Sequence, residues 1–169
     1  ILDFLTATPL PANEALAVLL LYAYEVQNWI DGGEAAVLDI ENCVKLAKKY
    51  ATGGDFSLLI DFFKALEILT PQWRARLHAP GVNCNWDPRL LILVHYFIDR
   101  YWLQAVSDYD LICRVKFSIA ACLVVHYLGG EFVETAQLFS KEIENDPDNL
   151  ETILDGVYTS AALTDTHIL

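Results

Sequence analysis

The residues best able to do chemistry lie between His95 and Leu150. One predicted helix carries His95, Tyr96, Asp99, Arg100 and Tyr101. His95 and Asp99 stand one turn apart, as do Tyr96 and Arg100, so each pair can touch on the helix surface. A functional reading makes His95 and Asp99 an acid-base pair and gives Tyr96 and Arg100 to a substrate or cofactor pocket. The plainer reading is a surface ion pair and an amphipathic edge, with rings packed and polar tips in water; the local pattern alone favours it. On the next helix Arg114 and Lys116 sit among apolar residues and, two positions apart, cannot share a face. Arg114 can fork onto a carboxylate, with Glu142, Glu144 or Asp99 as candidates. His126, near the end of that helix, reads more readily as a helix-end or core residue than as a ligand.

Ser140, Glu142 and Glu144 add a hydroxyl and two carboxylates. A serine without a histidine at helical spacing is no nucleophile signature, so a hydrolase is not indicated. The chain also lacks a glycine-rich phosphate loop and a strand-loop-helix fingerprint, which removes the usual nucleotide sites. Cys43, Cys84, Cys113 and Cys122 are far apart and form no close pair of the kind that binds zinc or a cluster, so no metal site is expected.

The elements that position these groups are helices. Apolar residues recur at three-to-four-residue steps from Leu16 to Ile30, after Pro9 and Pro11 and before Gly32-Gly33. A second amphipathic segment carries Val37, Ile40, Val44 and Ala47, gathers Lys45, Lys48 and Lys49 near its end, and stops at Gly53-Gly54. Asp55 suits the next cap. Phe56 to Leu69 has too many apolar positions for one stripe and reads as the central helix. Thr70-Pro71 starts a short helix through Leu77, Ala79 to Asn85 reads as a loop, and Asp87-Pro88 launches a helix from about Arg89 to Ala105. Asp108 or Asp110 starts the helix that Gly129-Gly130 ends; Glu131 to Glu144 and Leu150 to Tyr158 follow, separated by Asp146-Pro147. The expected fold is all-α, an irregular bundle of about seven helices in one domain over 1–169.

Composition narrows the partners. With 169 residues, 54% hydrophobic and 20% charged, the chain has enough apolar surface to fold. The apolar runs Leu90–Ile98 and Phe117–Leu128 fall short of the roughly 20 residues that span a bilayer and read as core helices, so no membrane partner is expected. A net charge of −12 opposes nucleic acid, whose counterions only a cationic surface displaces. The excess is concentrated late, where Glu131, Glu134, Glu142, Glu144, Asp146, Asp148, Glu151 and Asp155 face only Lys141. That face is either solvated or a docking surface for a basic partner. Without a signal-peptide pattern, the chain is expected in a reducing cytoplasm with free thiols. It begins at Ile1 and contains no methionine, so it reads as a fragment or as a chain whose modified methionines are left out.

Taken in order, Tyr96-Phe97-x-x-Arg100, Lys116-Phe117, Ser140-Lys141-Glu142-x-Glu144 and Asn149-Leu150 resemble the C-terminal half of the bacterial flagellin lysine-N-methylase family. Three positions depart from that pattern: Asp99 stands where an aromatic is usual, Phe139 where tyrosine is, and Asn145 where histidine is. The resemblance implies methyl transfer from S-adenosylmethionine to lysines of flagellin or a similar protein. In the family, an iron-sulfur or metal centre belongs to an N-terminal cysteine-rich module with no counterpart here. By the same resemblance Tyr96, Arg100 and Lys116 line the cofactor or lysine site, and Glu142 and Glu144 are the catalytic carboxylates. Two other classes stay open: a non-catalytic interaction domain that binds a basic partner through its acidic C-terminal face, and a small-molecule sensor with an apolar pocket.

Overall fold

The computed structural model describes residues 1–8, 10–34, 39–51, 56–81 and 86–168. Pro9, Val37, the Gly53-Gly54 stop, the Asp55 cap, Cys84 and most of the 79–85 loop lie outside them. All regular structure among the described residues is helical: α1 (Leu2–Ala7), α2 (Ala12–Ile30), α3 (Ile40–Tyr50), α4 (Ser57–Ala65), α5 (Pro71–His78), α6 (Leu90–Tyr101), α7 (Ala105–Asp108), α8 (Leu111–Leu128), α9 (Phe132–Phe139), α10 (Pro147–Thr159) and α11 (Asp165–Ile168). The all-α class is as expected, but the elements outnumber the seven read from sequence. The short α1 and α11 carry too few residues for a periodic signal, and the helix expected to reach Ala105 breaks into a 3-10 turn at Trp102–Gln104 followed by α7.

Caps account for most boundaries. The side chains of Asp39, Thr70, Asp110 and Asp146 accept backbone N–H groups in the first turns of α3, α5, α8 and α10, satisfying donors that have no intrahelical partner. Pro71 and Pro147 occupy first-turn positions where no amide bond is lost. Gly129 and Gly130 end α8 with φ of +63° and +81°. A Cβ on Gly129 would sit 2.1 Å from the Gly81 carbonyl oxygen, so only glycine fits. Arg76 of α5 donates to the Gly129 carbonyl (2.8 Å) and to Glu134 (2.9 Å), fastening this turn to the start of α9.

The central helix is α8, not the Phe56–Leu69 segment. Of the residues in α8 only Arg114 and Tyr127 escape full burial, and α2, α6, α9, α10 and α11 all pack on it. α4 is shorter than expected and leaves Leu58 exposed, because the chain turns extended at Leu66. By length and composition α8 is the one helix among the described residues able to cross a membrane; here 89% of it is covered by the rest of the bundle. At the centre of the core, Phe97, Phe117 and Phe139 meet one another edge-on or tilted, at centroid distances of 5.7–6.4 Å, joined by Phe63, Trp73 and Tyr101. Cys43, Cys113 and Cys122 are buried free thiols, and burial pushes all three thiols up, Cys113 to about 12.

Candidate functional site

α9 does not run on to Glu144 as an α-helix. From Ser140 to Glu144 it widens into a π-helical turn, closed by the Asn145 N–H on the Ser140 carbonyl (3.1 Å). Glu142, Ile143 and Glu144 are all buried there, and the two carboxylates point into different parts of the bundle.

Glu142 is fully buried and faces the extended link between α4 and α5. Its carboxylate accepts from the Leu69 N–H (2.8 Å) and from the Thr70 hydroxyl. Asn149, at the start of α10, completes the clamp: its amide donates to the carbonyls of Glu67 (2.8 Å) and Glu142 (2.9 Å), and its Oδ1 accepts the Glu67 N–H (3.0 Å). The link lies outside any helix, and these two side chains satisfy the Glu67 N–H and carbonyl and the Leu69 N–H within it.

Glu144 faces α6. Its Oε1 accepts the hydroxyls of Tyr96 and Tyr101, each at 2.9 Å, and pairs with the Arg100 Nε at 3.0 Å. The Arg100 guanidinium also lies against both rings, 6.0 Å and 5.6 Å from their centroids. The Glu144 side chain is 1% exposed while that of Arg100 is 48% exposed, so a sealed carboxylate is bound to a cation that reaches solvent. Burial, then the neighbouring carboxylate, raises the Tyr96 phenol. Burial raises Tyr101 as well, with Arg100 opposing and Glu144 adding to the rise. Both stay protonated donors at neutral pH. Beside them lies a recess of about 230 Å³ between α6 and α9, lined by Tyr96, Ser140 and Glu144 together with apolar residues such as Leu93, Phe132 and Val133.

Comparison with protein-family models, with curated proteins and with solved structures finds no match to this chain.

Of the residues singled out in the sequence, the structure thus brings together Tyr96, Arg100, Tyr101 and Glu144. Glu142 belongs to the separate Asn149 clamp. Lys116 is on α8 at another polar cluster, where its Nζ pairs with Asp165 (2.6 Å) and reaches the Leu163 carbonyl (3.4 Å), while Tyr24 donates to the same Asp165 (2.8 Å). Arg114 pairs with Asp108, the carboxylate just before its own helix, and not with Glu142, Glu144 or Asp99. His95 Nε2 lies 3.0 Å from the Thr6 hydroxyl. His126 is buried in a parallel stack on Trp86 (4.1 Å), and burial lowers it from its usual value against the pull of Asp87.

The late acidic face also shrinks. Glu142 and Glu144 are inside, Glu131 and Glu134 pair with Arg89 (3.5 Å) and Arg76 (2.9 Å), and Asp146 is spent on capping α10.

Proposed function

We propose that this chain is the helical part of a bacterial, cytoplasmic protein-lysine N-methyltransferase that uses S-adenosylmethionine and acts on flagellin or a similar protein. The observation that carries the reading is the meeting of two motif elements, Tyr96-Phe97-x-x-Arg100 and Ser140-Lys141-Glu142-x-Glu144, through Tyr96 and Arg100 on one oxygen of Glu144, 48 residues from Tyr96, beside a recess.

The recess suits the acceptor better than the whole cofactor. Its volume of about 230 Å³ is below the roughly 300 Å³ at which pockets for small organic ligands begin, but a mostly apolar lining that includes the Tyr96 ring and the Glu144 carboxylate suits an aliphatic chain ending in nitrogen. S-adenosylmethionine supplies the methyl group. Tyr96 offers its ring to the incoming lysine and Glu144 orients its nitrogen, which must release a proton to solvent before its lone pair can take the methyl group; Arg100 and Tyr101 hold Glu144 in one rotamer. Glu142 and Asn149 keep the π-helical turn, and with it Glu144, in place. Lys116 belongs to the α8–α11 wall and makes no contact with the recess.

The test is calorimetric titration of the full-length gene product with S-adenosylmethionine, followed by mass spectrometry of flagellin incubated with both. Cofactor binding and lysine methylation that is lost in Glu144→Gln and Arg100→Ala support the reading. Absence of both heat and methylation overturns it.

A further inference from the structure

A second concavity, sharing no lining residue with the Glu144 recess, lies between the end of α2 and the Trp102–Tyr109 segment and encloses about 540 Å³. One wall is a stripe on α2, Tyr22, Val26 and Ile30, recurring every fourth residue over about two turns. The other wall carries Leu103, Val106 and Tyr109, which are 77%, 72% and 68% exposed. No lining residue is charged.

Two features set this groove apart from ordinary apolar surface. Tyr109 is the only non-glycine described residue in the left-handed region, at φ +61°, where asparagine or glycine is less strained. Gln27 holds it there, donating to the Tyr109 carbonyl (2.8 Å) and to Asp31 (2.9 Å) while accepting the Leu111 N–H (2.8 Å). The strained position thus presents an aromatic ring to solvent at the mouth of the groove, a placement that packing does not require. The same end is acidic. Asp31, Asp108 and Asp110 surround Tyr109, and of these Asp108 is paired with Arg114 and Asp110 accepts the Tyr158 hydroxyl (2.6 Å).

We infer that this groove docks a short amphipathic helix of another protein, apolar on the face that enters between α2 and the Trp102–Tyr109 segment and bearing lysine or arginine at the end that meets Asp31 and Asp110, the two carboxylates here whose side-chain partners are neutral. A furrow with the α2 stripe on one side and the short Trp102–Tyr109 turn on the other accepts apolar side chains at the spacing of the α2 stripe, and the acidic end fixes the direction of the guest.

The probe is a fluorescein-labelled peptide of roughly 15 residues, with leucines at every third or fourth position and two lysines at one end, titrated into the chain by anisotropy. Saturable binding that weakens with salt is expected. Leu103→Glu and Val106→Glu, both at exposed positions that leave the core intact, should each weaken it by roughly tenfold, and replacing the peptide lysines with glutamate should do the same. Tyr109→Asn should weaken binding while the melting temperature stays level or rises, a combination that a merely structural tyrosine would not give. The inference is overturned if the lysine peptide does not saturate, if the glutamate peptide binds equally well, or if Leu103→Glu binds as the parent does. It is also overturned if sedimentation shows a dimer that Leu103→Glu disperses, or if neutral lipid vesicles bind the parent chain and compete with the peptide.

Discussion

Glu142 and Glu144 stand two residues apart on one π-helical turn and do opposite work. Around Glu142 every contact is internal: a backbone N–H, a threonine hydroxyl and an asparagine that grips the same link. Around Glu144 the donors are two phenols and a guanidinium, and the guanidinium and one of the rings reach solvent beside a recess. A charge that holds the fold together is walled in on all sides, whereas a charge that can serve a ligand keeps one route outward through its partners. Charge alone does not separate the two; accessibility of the partners does.

Four measurements sharpen or break that contrast. The largest effect is expected for Glu142→Ala, which strands the Leu69 N–H and the Thr70 hydroxyl in the interior and should cost about 3 kcal/mol in a denaturant titration. A loss below about 1 kcal/mol would mean that water replaces the carboxylate and that the clamp is not structural. Asn149→Ala removes three hydrogen bonds to the same region and should cost about 2 kcal/mol, less than additively with Glu142→Ala because the two share the link. Arg100→Ala should change stability by less than about 1 kcal/mol, since the cation is half exposed, yet abolish methylation if the proposed function holds. A large stability loss with unchanged activity would transfer Arg100 to the structural side of the comparison.

The smallest effect concerns pH. Burial lowers His126 below its ordinary 6.5, so under acid the unfolded chain takes up a proton that the folded chain refuses. Stability is therefore level above pH 6.5 with respect to this group and falls as the pH drops below it. His126→Phe keeps a ring against Trp86 and should flatten the melting temperature in that window; an unchanged slope would assign the acid sensitivity to other groups.

What was legible in the sequence was local. Asp39, Thr70-Pro71, Asp110 and Gly129-Gly130 each mark a helix end through bonds made within a few residues. The pairing of Tyr96 with Arg100 followed from one helical turn. Illegible were the facts that depend on which elements meet. The resemblance implies a catalytic role for Glu142, but no local spacing shows that its partners, Leu69 and Thr70, lie 73 and 72 residues away. The same blindness made Phe56–Leu69 look central: α4 and α8 are both apolar on many sides, and only the packing distinguishes the helix that others surround. Arg114 failed the other way, since distant acids drew attention from Asp108, six residues upstream. Tyr101 was visible as an aromatic, but no spacing rule showed that its hydroxyl would reach Glu144.

The central position of α8 sets an order on the birth of the molecule. This helix is buried along almost its whole length, and part of its cover, α9, α10 and α11, is encoded after it. Until α9, α10 and α11 have followed it out of the ribosome, α8 has one flank without cover. A nascent chain arrested at that stage should be a preferred client for chaperones that hold apolar helices, and truncations before Asp165 should aggregate instead of folding to a smaller bundle.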